Sequence, residues 1–288
     1  MKNAIIYGTA RMGRQIYEDI QIQNSENGGI NVIAFTDFYS ENYGNELFGK
    51  KIIPLHDLNN HNYDVIIPAS ITHHEIIRDE LVSLYKIDPQ KIDINYSRNI
   101  KIYSDRARET FIRYHAKMIY EKKIEGSVAE GGVHKGLFAA KINYWYPDRK
   151  FYLFDTFEGF DERDVIEERE SGGYKHEPGF LGDTSVDLVL SRLPNKGNVI
   201  VKKGYFPDTT EGVEDNFVFV NLDFDLYNPM LAGLEYFYPR MKKGGIILLH
   251  DYFSDFYVGA PKAVDEFCEK YNVSGMPIGD LFSIAIVK

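Results

Sequence analysis

Residues 127–156 read SVAEGGVHKGLFAAKINYWYPDRKFYLFDT. An apolar run ends in two glycines, a helical segment follows, and a second apolar run ends in an acid. This order is typical of a β-strand, a helix and a second, parallel strand. The alternation continues with strand-like runs at 198–206, 217–225, 245–252 and 281–288 and helical patterns at 185–193, 230–241 and 260–271. The pattern predicts an α/β fold with a doubly wound sheet.

The first hundred residues repeat the alternation on a smaller scale. Strand-like runs lie at 4–8, 31–37 and 64–70, with helical patterns at 11–20 and 73–85. This spacing indicates parallel βαβ units. We therefore predict a smaller Rossmann-like α/β domain over residues 1–100 and a larger Rossmann-like α/β domain over residues 105–288.

The stretch between the two predicted domains has mixed composition. Residues 95–107, NYSRNIKIYSDRA, show no clear period, so we predict a linker there. From 108 to 122 the apolar spacing indicates a helix that opens the second domain. Phe111, His115, Met118 and Lys122 are predicted to share one face of this helix.

Composition limits the classes of function. The chain of 288 residues is 44% hydrophobic and 26% charged, and no apolar run approaches the roughly 18 residues that span a bilayer. Its net charge of −10 repels a phosphate backbone, so no nucleic-acid partner is expected. Cys268 is the single cysteine, and the N-terminus lacks a signal-peptide pattern. We expect a cytoplasmic protein without a membrane partner, and the oligomeric state, homo-oligomer or not, stays open.

Polar or glycine residues end the strand-like runs of the second domain. They are Glu130 before Gly131–Gly132, Asp155 before Thr156, Gly204 before Tyr205, Asp223 with Asp225, and His250 with Asp251. Because parallel strands point the same way, these ends are expected to line one crevice at the carboxyl edge of the sheet. The alternative is that acids end strands simply because turns favour them.

The first of these ends, EGGVHKG (130–136), predicts a strand, a glycine turn and a helix start. Gly131 and Gly132 would let the backbone approach a ligand, and Gly136 would let the helix pack near the strand. An acid directly before the glycines disfavours a phosphate, so Glu130 suits a cationic ligand better. Asp155 is placed to accept hydrogen bonds from the hydroxyls of a ribose; its alternative role is that of a helix cap for the segment TFEG (156–159).

Two further strand ends, NLDFDLY (221–227) and LHDY (249–252), supply three carboxylates and an imidazole. Oxygen ligands in that number suit Mg²⁺ or Mn²⁺, while the histidine favours softer metals. In the alternative interpretation, Asp225 begins a turn before Asn228–Pro229 and His250 caps its own strand.

Five segments of residues 105–288 carry a family likeness. They are GSVAEGGVHKGLFAAKINYWYPDRKFYLFDTFEGF, GDTS (182–185), VKKGYFPDTT (201–210), NLDFDLYNPMLAGLEYFYPRMKKGG (221–245) and LLHDYFSDFYVGAPKAVDEF. Together they resemble the macrocin O-methyltransferase family. The resemblance implies a class I methyltransferase fold, S-adenosyl-L-methionine as cofactor, Mg²⁺ dependence, and methyl transfer to sugar hydroxyls of antibiotics.

Carried over residue by residue, the resemblance implies a cofactor site and a metal site. The cofactor residues would be Glu130, Gly131, Gly132, Gly136, Asp155, Thr156, Phe157, Glu158, Gly159, Asp183, Gly204 and Tyr205. The metal would be held by Asp223 and by His250–Asp251, where the family typically has two aspartates. The site either keeps a metal with one imidazole ligand or has lost it and uses His250 as a general base. Asp223 and His250 are the candidate catalytic residues, because one of them would take the proton of the acceptor hydroxyl.

Two other segments resemble parts of sugar-modifying enzymes. Residues 161–179, with Gly172–Gly173 inside them, resemble a mobile lid over the substrate, and their composition also fits a solvated loop. The first domain resembles the small Rossmann-like module found beside enzymes of surface polysaccharide pathways. Its turn GTARMG (8–13) has Ala10 where a dinucleotide site has glycine, and Asp37 stands about where a ribose-binding acid would. Residues 1–100 are expected either to bind a nucleotide or to act in docking.

The sequence favours an S-adenosylmethionine-dependent O-methyltransferase with metal assistance. Its substrate would be a small sugar-like molecule, such as a nucleotide sugar or a polysaccharide precursor. A first rival, a metal-dependent glycosyltransferase, would use Asp223-Phe-Asp225 to hold a nucleotide sugar. A second rival, a nicotinamide dehydrogenase or a nucleotide-binding regulatory protein, would depend on the first domain.

Overall fold

The computed structural model describes residues 1–26, 28–170, 176–254 and 256–288. They form two compact units, Met1–Ser104 and Asp105–Lys288. Each unit is an α/β arrangement around its own sheet. Among the helices in these ranges, not one combines the length and the apolarity needed to cross a lipid bilayer.

Short strands and helices alternate in the first unit. Its elements are β1 Lys2–Tyr7, α1 Arg11–Glu26, β2 Ile30–Thr36, β3 Glu46–Leu47, β4 Lys50–Ile53, β5 Val65–Pro68 and α2 His74–Ser83. The strand order is β3-β4-β2-β1-β5; β1 is parallel to β2 and β5, β2 is parallel to β4, and β3 is antiparallel at the edge. The predicted βαβ pattern of this part of the chain is confirmed.

The first unit has a hydrophobic core of its own. Ile5 from β1, Ile66 from β5 and Leu81 from α2 are fully buried in one cluster. Each such side chain contributes roughly 1.5–3 kcal/mol when it leaves water. The apolar positions of the strands and of α2 therefore account for the packing of this unit.

The second unit carries the larger sheet, and a long helix, α3 Asn95–Glu121, leads into it. Its further elements are β6 Ser127–Gly131, α4 Leu137–Trp145, β7 Phe151–Asp155, α5 Glu162–Glu170, α6 Val186–Arg192, β8 Val199–Lys203, β9 Phe217–Leu222, α7 Tyr227–Phe237, β10 Met241–Leu249, α8 Gly259–Tyr271, β11 Met276–Pro277 and β12 Ile284–Val287. Strands and helices alternate along most of this stretch, as the sequence predicts.

The larger sheet has the strand order β11-β12-β10-β9-β6-β7-β8. Strands β10, β9, β6, β7 and β8 are parallel to one another, whereas β12 pairs antiparallel with β10 and β11 pairs antiparallel with β12. The carboxyl ends of the five parallel strands consequently face the same edge. All the strand ends to which the sequence assigns a site belong to this parallel set.

Side chains of the larger sheet alternate between two cores, as the pleat of a strand requires. In β7, Phe151 and Leu153 enter one core, and Tyr152 and Phe154 enter the other. Helices α3 and α4 cover the first core, and α7 and α8 cover the second. The sheet is therefore sandwiched between helices, which leaves its carboxyl edge to form a site.

The predicted linker over 95–107 is wrong, because these residues form the first half of α3. Asn95 N donates to Asp93 Oδ1 at 2.9 Å where the helix begins, and neither glycine nor proline interrupts residues 95–121. The helix predicted from residue 108 onward is confirmed as far as Glu121, but of the four residues predicted to share one face only His115 is buried. The buried residues are Ile112, His115, Ala116 and Ile119, whereas Phe111 and Met118 are half-buried and Lys122 is exposed.

The insertion at 161–179 contains a packed helix where the sequence indicated a lid or a solvated loop. Asp164, Val165 and Glu168 lie on the inner side of α5, and all three are buried. The Gly172–Gly173 pair of the predicted lid lies outside the described residues. The first half of the insertion is thus part of the fold.

Candidate active site

Backbone hydrogen bonds join the five strand ends into one continuous edge. The donor and acceptor pairs are Gly132 N–Phe154 O (2.9 Å), Gly204 N–Asp155 O (2.9 Å), Asp223 N–Gly131 O (2.8 Å) and His250 N–Leu222 O (2.9 Å). The residues that the sequence places at strand ends therefore neighbour one another along this edge.

The glycines of the turn after β6 are required by the protein itself. Gly132 has a φ of 76°, and a Cβ there would lie 2.0 Å from the carbonyl oxygen of Asp223. A Cβ on Gly131 would lie 2.2 Å from the ring of Phe224. Gly136, predicted to let its helix approach the strand, instead approaches α6, where its Cβ would be 2.9 Å from Val189. The turn packs against β9 and α6, and its contact with a ligand stays a prediction.

Glu130 is a buried carboxylate with one open oxygen. Its side chain is 2% exposed, and its Oε1 accepts a hydrogen bond from Asn221 Nδ2 at 3.0 Å. Oε2 is buried and has no hydrogen-bond partner among the residues that the structure describes. Burial and the nearby Asp223 charge raise the pKa of Glu130 well above its ordinary value, although Arg108 acts in the opposite direction. Such a group supports the prediction of a cationic ligand.

Asp155 holds the turn after β6 in place. Its Oδ2 accepts hydrogen bonds from Val133 N at 2.6 Å and His134 N at 2.9 Å, and its Oδ1 accepts one from Phe157 N at 2.6 Å. The alternative role as a helix cap is wrong, because the residues after Asp155 form a turn and α5 begins only at Glu162. A contact between Asp155 and a ribose stays a prediction.

The DTFEG turn that follows β7 is fixed by local contacts. Thr156 Oγ1 donates to Gly159 O at 2.7 Å, and Glu158 pairs with Lys203 Nζ at 2.8 Å. Phe157 is buried at a φ of 54°, and Gly159 has a φ of 84°. The turn is therefore a preformed surface next to the end of β6.

The remaining predicted cofactor residues are engaged in polar pairs. Asp183 is paired with Lys135 and with His134 Nε2, the latter at 2.9 Å, and these hydrogen bonds lower the pKa of Asp183 to about 2. Tyr205 donates its hydroxyl to Asp164 Oδ1 at 2.9 Å. Asp183 thus faces the turn after β6, whereas the Tyr205 hydroxyl is turned towards α5.

Asp223, His250 and Asp251 form a compact cluster at the ends of β9 and β10. One ligand atom from each lies within 4.8 Å of the others. His250 Nδ1 is 2.9 Å from Asp223 Oδ1 and 2.7 Å from Asp251 Oδ2. Burial lowers the pKa of His250, but the two carboxylates outweigh it and raise that pKa to about 10. Burial likewise opposes ionisation of Asp223, yet His250 and Arg108 hold its pKa well below its ordinary value. The cluster is an imidazolium between carboxylates.

Asp225 belongs to the same cluster, at a buried position with a φ of 65°. Burial and the charge of Asp251 raise the pKa of Asp225 well above its ordinary value, and the two carboxyl groups are hydrogen-bonded. Asp225 therefore pairs with Asp251 at neutral pH.

Arg108 and Asn221 complete the site, and the sequence analysis missed both. Arg108 Nη2 donates to Asn221 Oδ1 and to Asp223 Oδ2, each at 3.0 Å, and its guanidinium lies 3.9 Å from the centre of the Phe138 ring. Asn221 is fully buried in the apolar run FVFVNL. A polar residue inside such a run was a signal for Asn221. Arg108 is the first residue of the predicted helix, and nothing in the sequence around it indicates a site.

Asp37, the acid of the candidate nucleotide site in the first unit, already accepts hydrogen bonds from the protein with both carboxylate oxygens. Asp37 Oδ2 accepts hydrogen bonds from the backbone and the hydroxyl of Thr9, the former at 3.0 Å. Its Oδ1 accepts one from Tyr39 N at 3.0 Å. Asp37 therefore ties the turn after β1 to the end of β2.

Comparison with known proteins shows the family to which this chain belongs. The sequence profile of the macrocin O-methyltransferase (TylF) family matches residues 102–285. The chain belongs to the macrocin O-methyltransferase family. Members of this family are S-adenosylmethionine-dependent O-methyltransferases, and so is this enzyme. A second profile, described as C2185-like, N-terminal, matches residues 1–93.

Individual proteins similar to this chain are also methyltransferases, which supports its assignment to the macrocin O-methyltransferase family. The 8-demethyl-8-(2,3-dimethoxy-alpha-L-rhamnosyl)-tetracenomycin-C 4'-O-methyltransferase of Streptomyces olivaceus is 26% identical over 183 residues, which are 59% of this chain and 68% of the relative. The solved O-methyltransferase NovP is 23% identical, with a TM-score of 0.54 over 63% of this chain and 79% of NovP. CalS11, a calicheamicin methyltransferase, is 18% identical, with a TM-score of 0.50 over 75% of this chain and 91% of CalS11. The two structures show that the chain has a methyltransferase-like α/β fold.

Proposed function

We propose that this enzyme transfers the methyl group of S-adenosylmethionine to a hydroxyl of a sugar unit, in a nucleotide sugar or a polysaccharide precursor. The observation that carries the proposal is the hydrogen bond of 2.8 Å from Asp223 N to Gly131 O. This hydrogen bond supports the proposal because it joins the acidic cluster to the turn to which the family resemblance assigns the cofactor. The name of the Streptomyces olivaceus relative describes methylation of a rhamnosyl-bearing molecule, which supports a sugar acceptor.

Methyl transfer from a sulfonium is an in-line displacement, so positioning does most of the work. In our proposal the turn 130–136, the DTFEG turn 155–159, Asp183 and Gly204–Tyr205 hold the cofactor. The acceptor hydroxyl would lie over Asp223, which stays ionised beside Arg108 and His250. Asp223 would then take the proton of that hydroxyl as it attacks the methyl carbon. His250, the other candidate base, is already protonated between the two carboxylates and would orient and stabilise Asp223 instead.

We propose that a divalent metal assists the reaction. Asp223, His250 and Asp251 offer two carboxylates and an imidazole within 4.8 Å of one another, a donor set that fits Mn²⁺ or Mg²⁺. A metal bound there would lower the pKa of the acceptor hydroxyl and fix its orientation. The imidazole where the family typically has an aspartate favours Mn²⁺ over Mg²⁺.

A methyl-transfer screen tests the reaction class. Purified enzyme would be incubated with S-adenosylmethionine labelled in the methyl group and with nucleotide sugars or polysaccharide fragments, with and without Mg²⁺ or Mn²⁺. We expect label on a sugar acceptor and a higher rate with metal. Label only on acceptors that lack a sugar would contradict the proposed substrate class, and equal rates after chelation would contradict metal assistance.

The variant Asp223→Asn tests the catalytic assignment. We expect turnover to fall by about 100-fold or more, because general-base and orienting groups contribute on that scale. Affinity for S-adenosylhomocysteine, measured by calorimetry, should change little. Asp215→Asn is the matched control, because Asp215 pairs with Ser127 and Lys150 at the opposite edge of the sheet. Equal turnover of Asp223→Asn and the unaltered enzyme would refute the assignment.

For residues 1–100 we propose a docking or structural role instead of nucleotide binding. The support is the carboxylate of Asp37, both of whose oxygens accept hydrogen bonds from Thr9 and Tyr39. A fluorescence titration with NADH decides the matter. Saturable binding at micromolar NADH would contradict this proposal and restore the nucleotide-binding alternative.

A further inference from the structure

Arg108 has hydrogen-bond capacity that its contacts do not use. A guanidinium carries five N–H donors. Both hydrogen bonds of Arg108 leave from Nη2, to Asn221 Oδ1 and Asp223 Oδ2. Nε is buried and has no hydrogen-bond partner within the described part of the chain. A buried donor without a partner costs roughly 1–3 kcal/mol, so a ligand that supplies an acceptor would remove a penalty.

A second open group lies on the other side of Asn221. The Asn221 amide accepts from Arg108 with Oδ1 and donates to Glu130 Oε1 with Nδ2, each at 3.0 Å. Glu130 Oε2 is buried and unpaired among the described residues, as Arg108 Nε is. One amide therefore separates an unpaired guanidinium nitrogen from an unpaired carboxyl oxygen. A ligand that bears a positive and a negative group on one carbon atom would supply a partner to each.

The methionine end of S-adenosylmethionine is such a ligand, because its α-carbon bears an ammonium and a carboxylate. We propose that Arg108 receives the α-carboxylate of the cofactor. This inference rests on the proposed function and adds a cofactor residue from α3, ahead of the glycine turn. Phe138 holds the guanidinium plane at 3.9 Å, and Asn221 and Asp223 fix its end, so the donor is oriented before the cofactor arrives.

The experiment combines a substitution of Arg108 with removal of the carboxylate from the ligand. Calorimetry would measure S-adenosylhomocysteine and its decarboxylated analogue S-adenosyl-3-thiopropylamine on the unaltered enzyme, Arg108→Gln and Arg108→Lys. The unaltered enzyme should bind the analogue about 10- to 100-fold more weakly, the range expected for a charged hydrogen bond. Arg108→Gln should bind both ligands with about that weaker affinity, and Arg108→Lys should lie between.

Several outcomes overturn the inference. If Arg108→Gln weakens both ligands equally, Arg108 acts only through Asp223 or Asn221 and does not touch the carboxylate. If the unaltered enzyme binds both ligands equally, no cation receives that carboxylate. Failure of the unaltered enzyme to bind S-adenosylhomocysteine would contradict the proposed function itself.

Arg113→Gln provides the matched control on the same helix. Arg113 lies over the ring of Trp145, with 5.4 Å from its guanidinium carbon to the ring centre. This variant should bind both ligands as the unaltered enzyme does. If Arg108→Gln does not fold, the same two ligands measured on Arg108→Lys test the inference. Lysine keeps the positive charge, so this variant should prefer S-adenosylhomocysteine over the analogue, but less strongly than the unaltered enzyme does.

Discussion

Gly132 joins the turn after β6 to the acidic cluster. Its φ of 76° lies in the left-handed region, and a Cβ there would lie 2.0 Å from the Asp223 carbonyl oxygen. We expect Gly132→Ala to lower the free energy of unfolding by about 3 kcal/mol or more, because backbone strain and a clash add. Urea unfolding of the purified protein measures the loss.

Gly212→Ala is the matched control for Gly132→Ala. Gly212 has a φ of 74°, and a Cβ there would meet no described atom within 4 Å. This variant should lose only about 1 kcal/mol, the cost of the left-handed backbone alone. Equal losses in the two variants would show that φ, and not the contact with Asp223, demands glycine at position 132.

Single residues of the site differ in how far the sequence could reveal them. Glu130, Asp223, His250 and Asp251 end apolar runs, so a sequence pattern suffices to bring them to one edge. Arg108 reaches the same edge only through the packing of α3 against the sheet, and sequence distance hides that contact. A pattern of residues along the sequence does not reveal contacts that arise only when distant segments pack together.

Helix α5 is anchored by a carboxylate that reaches the starts of two other helices. Glu168 is 2% exposed, and its Oε1 accepts a hydrogen bond of 3.1 Å from Gly259 N, the first residue of α8. The backbone N–H of Tyr227, where α7 begins, also interacts with this carboxylate. Unpaired N–H groups at helix starts favour a negative charge.

We expect Glu168→Ala to lower the free energy of unfolding by about 2 kcal/mol, because two helix starts lose an acceptor. Thermal and urea unfolding check this value. Glu170→Ala, at an exposed position of the same helix, should change stability by less than about 0.5 kcal/mol. If Glu168→Ala were as stable as Glu170→Ala, α5 would not depend on this anchor.

The linker over 95–107 and the solvated-loop interpretation of 162–170 are wrong for the same reason. Residues 95–107 and 162–170 are rich in charged side chains, and their apolar positions are too few to show a helical period. Both form helices because no glycine or proline interrupts them and because a few buried groups fix them, such as Ile100 in α3 and Val165 in α5. Apolar periodicity finds the strands and helices of the core and overlooks such polar helices.

At the scale of the whole chain, each unit has its own core, and one probe reports on the second unit. Trp145 is the single tryptophan and lies in α4 of that unit. Its fluorescence therefore follows the unfolding of residues 105–288 separately from that of residues 1–104. The division into α/β units around parallel sheets was predictable from the alternation of strands and helices.

A buried histidine makes the stability of the second unit depend on pH. His115 is 4% exposed; its Nδ1 lies 2.7 Å from the Tyr146 hydroxyl and its Nε2 lies 3.1 Å from Gly244 O. Burial lowers the pKa of His115 to about 4, although the Gly244 carbonyl raises it slightly. In the unfolded chain a histidine has a pKa of about 6.5. Between these values the unfolded state binds a proton that the folded state does not, so acid favours unfolding.

We expect His115 to remove about 2 kcal/mol of unfolding free energy as the pH falls from about 6.5 to 5, and nothing as it rises above about 7.5. Urea unfolding followed by Trp145 fluorescence at several pH values measures this, with His115→Gln as the comparison. Buried carboxylates with raised pKa, such as Glu130 and Glu168, act in the opposite direction in both proteins and cancel in the difference. A pH-independent difference between the two proteins would mean that His115 titrates alike in the folded and unfolded states, and that its two buried contacts do not keep it neutral.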